Sequence, residues 1–356
     1  MSPRRSQDDE SQIRFRPNPR GSRPRTKDRP RHADAVTAQV VTVDRGRYGC
    51  LLGGFEAAPD APVVVAMKAR ELGKAAVLVG DRVGVVGDVS GSAGSLARIV
   101  RVEPRTSMLR RSADDTDPVE RGIVANAEQL GIVTALADPE PRARMVDRCL
   151  VAAYDAGLDP LLILTKADLK DPAEFTSGYA ALEVPWLVTR RQPSTDGADG
   201  QPDPNGGIVG LDTVREYLRD RVTVLIGHSG VGKSTLVNAL VPGADRAIGR
   251  VNVHTGRGRH TSTSAVALRL PEGGWVVDTP GVRSFGLAHV DPDRLLRAFP
   301  ELAAGTANCP RGCSHDEPEC GLDAWVAEGH AGPSGAARLE SLRRLMRARA
   351  GAPSEP

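Results

Sequence analysis

Residues 222–235 read VTVLIGHSGVGKST, and this stretch decides the fold. The apolar run Val222–Ile226 predicts a strand, residues 227–234 match G-x-x-x-x-G-K-[ST] in full, and STLVNALV behind them predicts an amphipathic helix. Strand, glycine loop and helix in that order form a phosphate cradle. Gly227, Gly230 and Gly232 allow the tight turn that aims backbone N–H groups at phosphate oxygens, with His228, Ser229 and Val231 between them. The helix N-terminus adds its partial positive charge. Lys233 is placed to reach the β- and γ-phosphates, and Ser234, followed by Thr235, to ligate Mg²⁺.

Downstream, the apolar Trp275-Val276-Val277 runs into Asp278-Thr279-Pro280-Gly281, a D-x-x-G pattern at a predicted strand end. Asp278 would hold the Mg²⁺ shell and the Gly281 N–H would sense the γ-phosphate. Upstream, the strand Leu161–Leu164 runs into Thr165-Lys166-Ala167-Asp168, which is similar to the guanine-reading N-K-x-D. A carboxylate at Asp168 suits the two donors on the guanine edge, a bidentate pair that adenine does not offer. The Lys166 stem would lie over the base. Thr165 replaces the usual Asn, and a hydroxyl makes one of the amide's contacts but not all.

In a Ras-like chain the base-reading motif comes last, whereas here it precedes the phosphate loop. Motifs at the C-terminal ends of parallel strands keep their places in space when a chain is cut and rejoined, so the order predicts a circularly permuted GTPase. Between the phosphate loop and Asp278 lies GRGRHTSTS (256–264), where switch I should supply a hydroxyl to Mg²⁺. Thr261 and Thr263 are the candidates, Thr263 preferred. Val282 follows Gly281 where a water-orienting Gln would stand, so intrinsic hydrolysis should be slow. His260 is the candidate for positioning the water.

The whole chain has 356 residues, 40% apolar and 26% charged, which suits a soluble protein of two or three domains. No apolar run reaches the length of a membrane span, and the N-terminus carries no secretory signal; a cytoplasmic protein without membrane attachment is expected. Residues 1–32 hold ten basic and four acidic residues with five prolines, which predicts a disordered arm suited to a polyanion such as RNA over residues 1–35. Residues 36–106 carry five short β-branched segments (VTAQVVTVD, GRYGCLL, VVVAMKA, DRVGVVGDV, LARIVRVEP), a small OB-like or SH3-like barrel. Gly80-Asp81 reads as a turn into a strand. Residues 107–290 alternate strands and helices, a parallel α/β sheet, interrupted by a Gly/Asp/Pro-rich surface loop at 192–207. Residues 291–356 are helical around a cysteine cluster.

That cluster, Cys309-x3-Cys313-x-His315-x4-Cys320, is a complete Cys₃His set for one structural zinc ion in a reducing compartment. Cys50 and Cys149 sit in apolar surroundings and read as core residues.

Taken together, the barrel, the base motif before GHSGVGKST, then RGRHTSTS, DTPGVRSFGL and the C-terminal Cys₃His module resemble the RsgA (YjeQ) family, from about Val36 to Met346. The resemblance implies an OB-fold and a zinc module that contact ribosomal RNA, and GTP hydrolysis stimulated by the small ribosomal subunit late in its maturation. Release of the factor, a monomer, would follow hydrolysis. The chain departs from the family at Thr165, at the zinc ligands (the usual spacing is C-x4-C-x-H-x5-C) and at Ser262 and Ser264 of switch I. Two rival readings stand beside it: a permuted GTPase acting on the large subunit, and a non-enzymatic RNA-binding protein with GTP as a sensor ligand. The barrel and zinc module weigh against the first, and the intact Lys233, Ser234 and Asp278 against the second.

Overall fold

The computed structural model describes residues 32–73, 76–112, 120–192, 207–244, 265–279, 286–287 and 289–350. The predicted N-terminal arm lies almost wholly outside them, as do residues 193–206 of the predicted surface loop. Strands β1 (Val36–Asp44), β2 (Arg47–Leu52), β3 (Val63–Lys68), β4 (Arg82–Gly87) and β5 (Ala97–Val102) are the five that the sequence predicts. They close in the order β1-β2-β3-β5-β4 and back to β1, with β3 and β5 parallel and the other pairs antiparallel. That pairing is OB-like, and it settles the choice that composition leaves open. Ala38, Val40, Cys50, Val64, Val83 and Ile99 fill the barrel.

A two-stranded ribbon, β6 (Met108–Arg111) and β7 (Arg121–Ala125), leads into the α/β region. This comprises β8 (Gln129–Ala135), α1 (Ala143–Ala156), β9 (Asp159–Thr165), α2 (Ala173–Ser177) and β10 (Trp186–Val188). There follow β11 (Arg190–Arg191), β12 (Ile208–Val209), α3 (Leu211–Leu218), β13 (Val222–Gly227), α4 (Lys233–Leu240), β14 (Val266–Arg269) and β15 (Trp275–Asp278). The sheet order is β10-β9-β8-β13-β15-β14. The first five strands are parallel, as expected, but β14 is antiparallel to β15. The reason is the connection: Leu270 N donates to Gly274 O at 3.0 Å across a tight turn, far too short for the crossover that parallel pairing needs. All seven residues of β8 are buried, as befits a central strand covered on both faces.

The C-terminal region folds as α5 (Pro292–Leu296), α6 (Pro300–Ala303), α7 (Gly321–Ala327) and α8 (Gly335–Ala350). Asp291 caps α5 by accepting from Asp293 N, with Pro292 at the first helical position. Its buried Phe299, Leu302, Leu322, Leu339, Leu342 and Leu345 join the same apolar cluster as Leu130 and Ile132 of β8 and Cys149 and Leu150 of α1. No helix among the described residues is long and apolar enough to cross a membrane.

The barrel is welded to the α/β sheet. Thr42 of β1 pairs with Val266 of β14, so one sheet runs through both. Trp275 Nε1 donates to Phe55 O at 3.1 Å with the two rings 4.6 Å apart, and Arg269 Nη1 donates to Ala57 O at 2.7 Å. Gly80 has φ +88°, and a Cβ there would lie 1.9 Å from Ala125 O, so the close approach of barrel and ribbon excludes any other residue. The sequence reads Gly80-Asp81 as a turn, and the fold also buries Asp81 completely. Its carboxylate accepts from Arg105 Nε and Nη2 at 2.7 and 2.8 Å and from Leu78 N at 2.7 Å. Asp81→Ala strands the guanidinium and the Leu78 amide, and should lower stability in urea unfolding by about 3 kcal/mol, with Asp81→Asn costing less because its oxygen still accepts from Leu78. A loss below about 1 kcal/mol in Asp81→Ala would show that the buried pair contributes little to stability.

Candidate nucleotide site and metal centre

β13 lies between β8 and β15, so the loop leaving it opens between two other strand ends. Gly230 and Gly232 take φ of +86° and +88°, the left-handed turn that a side chain would strain, and α4 begins at Lys233. Leu225 of β13 is in register with Asp278 of β15. That register brings Lys233 Nζ onto Asp278 Oδ1, both side chains being largely buried. Ser234 and Thr235 are exposed at the mouth of the loop.

Thr165 ends β9, next but one to β13. Its hydroxyl donates to Val231 O of the phosphate loop at 2.6 Å, with Thr134 O a longer alternative at 3.4 Å. Lys166 turns through φ +59°, and its Nζ donates to Asp138 O. Ala167 N donates to Thr189 O at 3.2 Å, and Asp168 Oδ1 accepts from Arg191 N at 3.0 Å. A cavity of about 420 Å³ joins both motifs, lined by Thr165, Lys166, Asp168, Arg191, Gly232 and Thr235 among others. The larger cleft, about 760 Å³, opens at the opposite end of the strands, where Arg221 pairs with Asp159 and Arg294 with Asp155, and no phosphate loop faces it.

The structure thus brings together Thr165, Lys166, Asp168, the phosphate loop, Lys233 and Asp278. His260, Thr263 and Gly281 lie outside the described residues, as does Val282. Thr189, Arg190 and Arg191 line the cavity and were not singled out from sequence. The signal was there: a parallel strand next to the base-motif strand ends at the same height, so the residues after β10 belong beside Asp168. Thr279 was likewise missed; its buried hydroxyl donates to Leu225 O at 2.8 Å and ties the D-x-x-G segment to β13.

In the C-terminal region, Cys309 Sγ lies 3.6 Å from His315 Nδ1 and 3.9 Å from Cys320 Sγ, and Cys320 Sγ is 3.8 Å from His315 Nδ1. The ligand atoms of these three and of Cys313 all fall within 4.8 Å of one another. Tetrahedral bonds of about 2.3 Å to sulfur and 2.0–2.1 Å to nitrogen space the ligands roughly 3.6–3.8 Å apart, so the donor set fits one metal ion with no open position. Gly312 and His315 turn through φ of +77° and +66° to bring the ligands round. Burial pushes the Cys50 and Cys149 thiols up to about 12, so these two are inert core residues, as expected.

Three comparisons bear on this geometry. A family model described as RsgA GTPase matches residues 102–288. The small ribosomal subunit biogenesis GTPase RsgA of Pseudomonas aeruginosa (strain LESB58) is 38% identical over 250 residues, 70% of each chain. Among solved structures, YjeQ from Thermotoga maritima is similar with a TM-score of 0.60 and 25% identity, over 89% of this chain and 99% of that one. YloQ, a circularly permuted GTPase, is similar in fold with a TM-score of 0.57 and 19% identity, over 91% and 99%. The family match spans more than half of the chain and takes in both motifs around the nucleotide cavity, and on that ground the chain belongs to the RsgA GTPase family.

Proposed function

We propose that this chain hydrolyses GTP on the small ribosomal subunit late in its maturation, with the barrel and the C-terminal module touching ribosomal RNA. The observation that carries the nucleotide half is the single cavity in which Asp168 and the phosphate loop meet, tied by the Thr165–Val231 bond. Support for the client comes from the name of the Pseudomonas aeruginosa relative. Residues 36–106, 107–290 and 291–356 are taken as barrel, GTPase and zinc-binding units, and the chain as a cytoplasmic monomer. Ser234 and Thr263 would hold Mg²⁺ with Asp278 behind them. The Cys₃His donors favour zinc over harder cations, because thiolate and imidazole are soft ligands and the set is closed. A turnover assay with and without purified small subunits tests the whole reading, and stimulation by large subunits alone would overturn it.

Asp168 gives the sharpest test of the nucleotide. GDP and GTP should bind and ATP should not, and Asp168→Asn should weaken GTP by roughly 10²-fold while admitting xanthine nucleotides. Equal binding of ATP and GTP by the parent would remove the guanine assignment.

Elemental analysis of anaerobically purified protein should find one zinc per chain. Cys320→Ser should release it and loosen the C-terminal module while GDP affinity holds, because the ligands lie outside the nucleotide cavity. Metal-free parent protein would refute this.

Catalysis is assigned to switch I. The isolated enzyme should be slow, since Val282 does not orient water, and the subunit should accelerate it by ordering His260 and the Thr263–Mg²⁺ contact. His260→Ala should leave GTP affinity intact and cut the stimulated rate by roughly 10²-fold or more, the scale of a lost positioned group. A stimulated rate that does not move would return His260 to the solvent and shift the role to a group supplied by the partner.

A further inference from the structure

Helix α8 lies between the metal centre and the α/β core, and adjacent arginines on it serve the two sides. Arg344 meets Asp147 of α1 at 3.2 Å and donates to Gly178 O at 2.7 Å. Arg148 of α1 donates to Ala348 O at 2.8 Å, and Arg338 is paired with Glu301 and donates to Ala181 O. These contacts, with the buried Leu339, Leu342 and Leu345, place α8 independently of any metal.

Arg343 turns the other way. Its Nε donates to the carbonyl of His315 at 2.8 Å and its Nη2 to Asp323 Oδ2 at 2.7 Å. One turn further, Arg347 pairs with Asp316 at 3.3 Å, so two arginines of α8 grip the peptide that carries the imidazole ligand. Asp316 also stands 4.0 Å from Arg343, so Asp323 and Asp316 already balance the guanidinium, and its link to the metal centre is the bond to the His315 carbonyl. A guanidinium is planar and donates in a fork, so one side chain holds the His315 carbonyl and the Asp323 carboxylate in fixed relation and so orients the peptide that carries the imidazole.

We propose that Arg343 is a positioning residue of the metal centre: its fork fixes the backbone of His315 against Asp323 and helix α8. This rests on the zinc reading above. The experiment uses the full-length chain, with zinc affinity measured by competition against a chromogenic chelator and with the ligand-field spectrum of the cobalt-substituted protein. Arg343→Gln should lose roughly 10–100-fold in zinc affinity, the range for outer-shell partners, and should change the cobalt spectrum. Arg343→Lys, which keeps a donor but not the fork, should recover part of the affinity and not the spectrum. GDP affinity should be the same in all three. Parent protein that binds no zinc would overturn the zinc reading and this proposal with it. Parent protein that binds zinc while Arg343→Gln matches it within about threefold would overturn the proposal alone. Should Arg343→Gln lose GDP binding, Asp323→Asn takes its place, since it frees one arm of the fork; an affinity loss of about tenfold supports the proposal and no loss overturns it.

Discussion

A hydroxyl buried between two loops holds the nucleotide site together. Thr165 Oγ1 donates to Val231 O, so the T-K-x-D segment and the glycine loop are joined by one short bond across β8. The strands supply the rest of the alignment: β9, β8, β13 and β15 are parallel neighbours, and their C-terminal ends deliver Thr165, the glycine loop and Asp278 to one edge of the sheet. Buried in that place, an unpartnered Val231 carbonyl would cost more than the net worth of the bond that satisfies it. This is why a threonine serves where the family has an amide.

The barrel shares its sheet with the α/β region rather than its core. The barrel has its own apolar interior, yet its first strand extends the GTPase sheet through the Thr42–Val266 pair, and Trp275 and Arg269 are capped by carbonyls of the barrel's 53–62 loop. β14 therefore stands between the barrel and β15, the strand that ends at Asp278.

The C-terminal helices share the α/β core itself. They are too few to enclose a core and instead lay their apolar faces on α1 and β8, with arginines of α8 bonding into the GTPase helices. The Cys₃His cluster lies in residues 309–320, the longest non-helical stretch between these helices, where a bound metal would act as a staple.

Much of this was legible in the chain itself. Five barrel strands, the strand–loop–helix around Lys233, the base motif at Thr165–Asp168 and the Cys₃His set are local patterns, in which spacing and residue type carry the chemistry. Even the permutation follows from motif order. Contacts between distant segments were not legible, because no periodicity records which loop a side chain meets. The antiparallel entry of β14 depends on a turn at 270–274, and the burial of Asp81 depends on Arg105 arriving 24 residues later. The Arg191 amide on Asp168 belongs to a strand pair, β11 with β12, that flanks the 192–207 stretch and that two residues a side are too short to announce. Local chemistry named the nucleotide and metal ligands; only the packing of β8, β13 and α8 decided what orients them, since orientation is set by neighbours far along the chain.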